Sequence, residues 1–334
     1  MTGERTRPYV LDVMTGSWSG QAVYVAAKIG VADMLANGPR CVSDLAKEAG
    51  VNADALHRVL RALAGLGIFR IGENQQVELT PLAEPLATGH PESVRQFAIM
   101  VNEEVYDAFG GLLSSVQTGE PSFDKRFGTP IFAYYDAHPE VAATFHSAMN
   151  DWSGWDTPDI VEGYDFSRFR KVVDVGGGNG AFLSALLARY SNLSGVLFDR
   201  PAAIEAARAE EGGPLPRCEL VEGDFTEGGL PEGADLYTIK HVIDGWSDDG
   251  AAAILRKIRE SMTDDGRVLV LDCVVNEDNN PSFIKLLDLL VLTTTHGRMR
   301  QVSDYPEIFA KAGLHLNQVV RISDSVSILE GVIL

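Results

Sequence analysis

The sequence predicts two folded units: a mostly helical N-terminal winged helix, and a C-terminal α/β unit built on a doubly wound parallel sheet. Three observations predict this. The chain has 334 residues, too many for one ordinary domain and about right for two. A pattern of two helices followed by a hairpin ends before residue 90. After "EGYDFSRFR", short apolar β-branched runs alternate with amphipathic helices, the signature of a sheet covered on both faces.

Composition narrows the function. Hydrophobic residues make up 45% of the chain, which suits packed cores and excludes disorder of the polar kind. A formal net charge of −19 repels nucleic acid and anionic membrane, so a small molecule or a second copy is the expected partner. Cys41, Cys218 and Cys273 form no CxxC pair, as expected of free thiols in a reducing cytoplasm. Met1 to Val10 lacks the apolar run of a signal peptide. No stretch reaches the roughly 18 apolar residues of a membrane span. A cytoplasmic enzyme is the expectation.

Taken in order, residues 16–36 read as a helix apolar on more than one face. Ser43 is placed to cap "DLAKEAG", and Gly50 to close it. Asn52 caps the next helix, with Leu56, Val59, Leu60 and Leu63 on one face. "IFRIGENQQVELT" reads as two short strands around a Gly-Glu-Asn turn. This winged helix raises DNA binding as a rival, but residues 1–90 hold 8 Lys+Arg against 9 Asp+Glu. That is no basic footprint for phosphates, and a dimerisation module is the better reading. The expected boundaries are a dimerisation domain at 1–100, a helical connection lining the substrate pocket at 101–165, and a cofactor-binding catalytic domain at 166–334. The connection is read as interrupted by a loop, "TGEPSFDKRFGTP".

Ligands of doubly wound sheets bind at the carboxyl ends of the strands, and the motifs fall there. "VVDVGGGNG" is a strand, a glycine-rich turn and the start of a helix. Gly176 and Gly178 let the backbone approach a ligand closely. The pattern could serve a dinucleotide, but Asp174 before the glycines suits a cationic amino acid better than a pyrophosphate. Asp199 ends the next strand 25 residues on and can take both ribose hydroxyls. "EGDF" ends the third, with Asp224 placed for an adenine amino group and Phe225 for stacking. Three acid-bearing strand ends in this order favour S-adenosylmethionine (SAM).

With these motifs the sequence resembles the SAM-dependent O-methyltransferases that carry an N-terminal winged-helix dimerisation domain. "RVLRALAGLGIF", "FGTPIFAYYDAHPE", "VVDVGGGNG", "GVLFDRP" and "GWSDDGAAAILRKIRESM" carry the resemblance. It implies a Rossmann-like SAM methyltransferase domain, a homodimer, and Lys240 beside the methionine portion of SAM. The expected cofactor-binding set is Asp174, Gly176, Gly178, Asp199, Arg200, Gly223, Asp224, Phe225, Lys240 and Trp246.

The chain also departs from that family. Where the family's catalytic histidine precedes an acid–Trp pair, this chain has Asp244 in "KHVIDGWSDD". Of the two acids that orient the histidine, one is retained as Asp272 and the other falls at Met299. A carboxylate of ordinary pKa is a poor base for a phenol near 10. In exchange, His241 stands three residues before Asp244, and His296 occurs in "TTTHGRMR". Two histidines and a carboxylate make a facial metal site for iron or zinc, and Arg126 is a natural fork for a carboxylate. Metal ligands His241, His296 and Asp244, with Asp244, His241 and Arg126 catalytic, point to a 2-oxo acid methylated at its β-carbon through a metal-bound enolate. This resembles the metal-dependent α-keto acid C-methyltransferases of nonribosomal peptide biosynthesis. The alternative is O-methylation of an aromatic natural product, with Asp244 or positioning alone doing the work. A third reading is a SAM-binding protein that no longer transfers methyl.

Overall fold

The computed structural model describes residues 6–209, 216–323 and 326–334. They form two compact units. One comprises residues up to Tyr106 together with Pro139–Trp152; the other comprises Asp107–His138 and Ser153–Leu334.

In the first unit the apolar N-terminal segment is helical over Thr6–Lys28. It does not run on to residue 36. Gly30, at φ 75°, breaks it before the short helix Val31–Met34. A two-residue strand β1 (Arg40–Cys41) leads directly into helix Val42–Ala49, so Ser43 lies inside that helix instead of capping it. Gly50 ends it at φ 68°, a left-handed conformation that glycine adopts without strain. Asn52 caps helix Ala53–Gly65, its side chain accepting the Ala55 N–H at 3.0 Å. Strands β2 (Phe69–Ile71) and β3 (Gln76–Leu79) pair antiparallel, Phe69 opposite Leu79, and β1 joins the other edge of β3. Leu45, Leu60, Leu63, Phe69 and Val77 form the core of this winged helix.

The second unit holds a seven-stranded sheet. Its strands are β4 (Lys171–Val175), β5 (Ser194–Asp199), β6 (Cys218–Glu222), β7 (Leu236–Lys240), β8 (Arg267–Asp272), β9 (Leu314–Arg321) and β10 (Ser327–Ile333). The order is β6-β5-β4-β7-β8-β10-β9. β4 to β8 run parallel, and β10 runs antiparallel to both its neighbours. Alternate residues serve opposite faces. Val173, Phe198, Tyr237, Ile239 and Val270 enter one core; Val172, Leu197, Leu236, Leu269 and Leu271 enter the other. Burial on both faces explains the nearly continuous apolar runs of the sequence. Chain order reverses direction across the sheet at β4, which opens a crevice at the carboxyl ends of β4 and β7. The expected loop after Thr118 contains a helix, Ser122–Phe127.

Candidate active site

The carboxyl ends of five strands carry the site. After β4 the chain turns through Gly176 at φ 70° and Gly178 at φ 61°, values that disfavour any side chain. Space is short as well: a Cβ on Gly176 would lie 3.0 Å from Val242 and 3.6 Å from the Phe225 ring. The turn is held from beneath and from β5. Asp174 is buried and accepts the Thr238 hydroxyl at 2.7 Å. Burial pushes its pKa up to about 6, against that hydrogen bond and the Lys240 charge. Asp199 accepts the Gly178 N–H at 2.7 Å on one oxygen and the Arg200 N–H at 2.7 Å on the other.

Beyond β6, Gly223 packs against Phe198 where a Cβ would stand 2.5 Å from the ring. Asp224 follows, with the Arg200 guanidinium 3.4 Å away and Asp136 on the other side of that arginine at 3.1 Å. Although burial raises the Asp224 pKa, hydrogen bonds from Thr226 and the Arg200 charge hold it below the usual range. Phe225 meets Trp246 edge to face, with ring centres 6.0 Å apart. A carboxylate at the end of β5, a glycine-rich turn that lets a ligand approach the backbone and an aromatic ring beside it suit a ribose, an amino-acid tail and a purine. The residues present therefore fit SAM.

At the end of β7 the buried chemistry begins. Lys240 Nζ lies 2.7 Å from Asp156 Oδ1 and also donates to the Ser153 hydroxyl at 2.7 Å. His241 Nε2 lies 2.7 Å from the other Asp156 oxygen, and its Nδ1 is 3.9 Å from Asp272 Oδ1 at the end of β8. Burial raises the Asp156 pKa, but the hydrogen bond and charge of His241, with Lys240 behind them, bring it below the usual range.

Asp244 sits on a single helical turn, Ile243–Gly245. The fully buried Arg300 clamps that turn, donating to the Ile243 carbonyl at 2.7 Å and the Trp246 carbonyl at 2.6 Å while its Nε meets Asp248 at 3.0 Å. Burial, then the charge of Asp272, pushes the Asp244 pKa up to about 7; His241 and Arg300 pull the other way. Asp244 is thereby a stronger base than an ordinary carboxylate, and still a weaker one than a phenolate. Met299, where the second orienting acid is missing, is buried.

The proposed metal set does not assemble. His296 is 56% exposed, with Asp124 at 3.3 Å and Glu120 at 3.6 Å, whereas His241 is turned to Asp156 and Asp272. The loop of His296 meets the Asp244 turn through Gly297, where a Cβ would have no room beside the Asp244 backbone, yet the two rings engage different acids. Among the described residues, no group of three His, Cys, Asp or Glu side chains could hold a metal ion. Arg126 is no pocket clamp prepared for a carboxylate: it lies in the last turn of helix Ser122–Phe127, exposed, and pairs with Asp107 at 3.0 Å. Sequence reasoning missed Asp156 and Arg300. Asp156 lies on a helix (Pro139–Gly163) 85 residues from its histidine. Arg300 stands in "GRMRQ", where no local pattern distinguishes it from Arg298.

Comparison with known proteins agrees with this geometry. The O-methyltransferase domain family matches residues 109–315, and the O-methyltransferase dimerisation domain family matches residues 11–89. A phenazine O-methyltransferase (PhzM) of Lysobacter antibioticus is 38% identical over 323 residues, 96% of this chain and 94% of that protein. The 2,7-dihydroxy-5-methyl-1-naphthoate 7-O-methyltransferase of Streptomyces carzinostaticus is 34% identical, covering 98% of each chain. Among solved structures, the mitomycin 7-O-methyltransferase MmcR superposes with a TM-score of 0.90 at 34% identity, over 98% of this chain and 97% of that one. These relatives are named for transfer to oxygen, which overturns the expectation of a metal-dependent C-methyltransferase acting on a 2-oxo acid. With both family domains in place, the chain belongs to the SAM-dependent O-methyltransferase family that carries an N-terminal dimerisation domain.

Proposed function

We propose that this enzyme transfers the methyl group of SAM to a hydroxyl on an aromatic small molecule of secondary metabolism, with Asp244 as the base. The observation that carries the reading is Asp244 itself: a carboxylate at the position of the family's catalytic histidine, lifted to about 7 by burial and by Asp272. Bound SAM supplies an electrophilic methyl group. Asp199 holds the ribose hydroxyls, Asp224 accepts from the adenine amino group, and Phe225 stacks on the ring. Arg300 keeps the Asp244 turn fixed, so the base meets the acceptor without reorganising. Asp244 would take the hydroxyl proton as the acceptor oxygen bonds to the methyl carbon and the S–CH3 bond breaks, its electron pair staying with the sulfur of the departing S-adenosylhomocysteine.

A base near 7 faces an ordinary phenol near 10 with a deficit of about three pKa units, on the order of 4 kcal/mol. A hydroxyl acidified by conjugation to an electron-poor ring nitrogen or to a carbonyl narrows that gap. The phenazine of one relative's name carries ring nitrogens of this kind, and the naphthoate relative is named for transfer to a 7-hydroxyl. The test is incubation with SAM and a panel of hydroxyphenazines and hydroxynaphthoates. Mass spectrometry should find a methyl ether together with S-adenosylhomocysteine. Methylation only at carbon, or of phenylpyruvate in place of every hydroxyl, would sink the proposal.

A homodimer through the first unit accompanies this reading. Its N-terminal helix exposes Leu11, Val13, Met14 and Trp18, and the dimerisation domain family covers that stretch.

A further inference from the structure

His241 occupies a constrained place at the end of β7. Its φ is 52°, in the left-handed region that is uncommon outside glycine and that Asn, Asp and His enter more readily than other residues. Its N–H is bonded to the Leu271 carbonyl at 3.0 Å, which ties it to β8. The side chain is 14% exposed, with Asp156 Oδ2 at 2.7 Å from one ring nitrogen and Asp272 Oδ1 at 3.9 Å from the other. A neutral imidazole has one N–H, so two carboxylates facing two nitrogens favour the cation.

We propose that His241 is a positioning residue for the Asp244–Asp272 pair: its ring, fixed between Asp156 and Asp272, sets as a cation how tightly Asp244 holds its proton. This rests on the reading of Asp244 as base. The groups around His241 are Lys240 on β7, Asp156 on helix Pro139–Gly163, Asp272 and Cys273 at the end of β8, and Asp244 on its turn. Arg300 and Tyr305 stand behind Asp244 and Asp272. Burial and the Lys240 charge oppose a charged ring, but the hydrogen bond with Asp156 and the neighbouring Asp272 carboxylate and Cys273 thiol outweigh them and raise the His241 pKa well above the ordinary value. On Asp244, Asp272 and His241 act in opposite directions. Removing the cation leaves the Asp272 charge unopposed from that side.

The experiment is carboxyl-13C NMR of aspartate-labelled protein in the presence of SAM, with Asp244 assigned by the signal lost in D244N. Its titration midpoint should lie near neutrality and rise by about one unit or more in H241N. Asparagine suits the left-handed backbone, so the substitution removes charge with little strain. A midpoint unmoved within about 0.3 unit would overturn the proposal. A second arm reads His241 by imidazole 15N NMR. The ring should stay doubly protonated well past the pH at which a free imidazole loses its charge, and D272N should lower its midpoint. A ring that titrates near 6.5, indifferent to D272N, would overturn the proposal even if H241N failed to fold. Neither arm uses turnover. Failure of Asp244 as base appears separately, as full activity in D244N.

Discussion

Gly297 lies against the backbone of Asp244 so closely that a Cβ there would overlap the Asp244 carbonyl oxygen and the Gly245 backbone. Backbone atoms cannot rotate out of the way, so any side chain must push the two loops apart. G297A is therefore expected to displace the base while leaving the cofactor turn at Gly176–Gly180 alone. A misplacement of about 1 Å can cost on the order of 100-fold in rate. Steady-state kinetics should show kcat reduced by roughly that factor, with SAM affinity by calorimetry unchanged. Wild-type kcat in G297A would mean that the two loops yield freely.

D244N keeps the shape of the side chain and removes the base. General-base catalysis contributes about 10²–10⁴-fold, and the loss should fall on kcat more than on KM. With the Asp244 pKa at about 7, the carboxyl is protonated below that value and cannot accept a proton. Wild-type kcat should therefore rise about tenfold per pH unit up to roughly neutrality and then level. In D244N that limb should vanish. A limb that persists in D244N belongs to another group.

The cofactor half of this site was legible in the sequence, and the catalytic half was only partly so. Gly176, Asp199 and Asp224 each follow an apolar run, and a strand end with a glycine or acid is a local pattern that survives without knowledge of the fold. Asp244 was legible as a position, but its basicity comes from burial and from Asp272 across the strand gap. No local pattern reports either. His296 was misread for the same reason. Its neighbours Asp124 and Glu120 come from a helix and turn more than 170 residues earlier, so a spacing argument could not see that its ring turns away from His241. Asp156 and Arg300 also act through tertiary contacts, on helix and loop patterns that look ordinary.

Asp199 is expected to carry much of the SAM affinity. Both its oxygens accept backbone N–H groups of the glycine turn and the next helix, which aims the carboxylate at the crevice. D199A removes the acceptor for the ribose hydroxyls and frees Gly178. Losing hydrogen bonds to a charged group costs about 1–3 kcal/mol, or roughly 5- to 150-fold in Kd. Unchanged affinity by calorimetry would move the cofactor elsewhere.

Met14 and Trp18 are 66% and 72% exposed on one helix of the first unit, with Leu11 and Val13 exposed on the same helix, and apolar side chains gathered on one element mark a contact surface. A double M14E/W18E variant places two charges on that helix. If a second copy covers it, sedimentation should show wild type at twice the mass of the 36.1 kDa chain and the variant shifted toward a single chain. A wild type already sedimenting as one chain at micromolar concentration would refute the dimer.

The last prediction concerns stability and Asp174. Its pKa rises from the ordinary 3.8 to about 6 in the folded protein, because burial penalises the charge more than Thr238 and Lys240 stabilise it. The folded state thus binds this proton more tightly than the unfolded state. Below about pH 4 both states are protonated, and the advantage of the neutral group is fully present. As pH rises from about 4 through 6 the unfolded chain ionises first and that advantage is lost, amounting to about 3 kcal/mol once the folded state has ionised too. Asparagine fills the same space and can still accept the Thr238 hydroxyl, but it never ionises. D174N should therefore be more stable than wild type at pH 8, by up to about 3 kcal/mol less whatever the Lys240 pairing contributes. The difference should shrink as pH falls toward 5. Urea unfolding at pH 5, 6.5 and 8 measures it directly. A D174N variant less stable than wild type by the same amount at all three pH values would show that Asp174 serves the turn through its charge, and that its burial carries no net penalty.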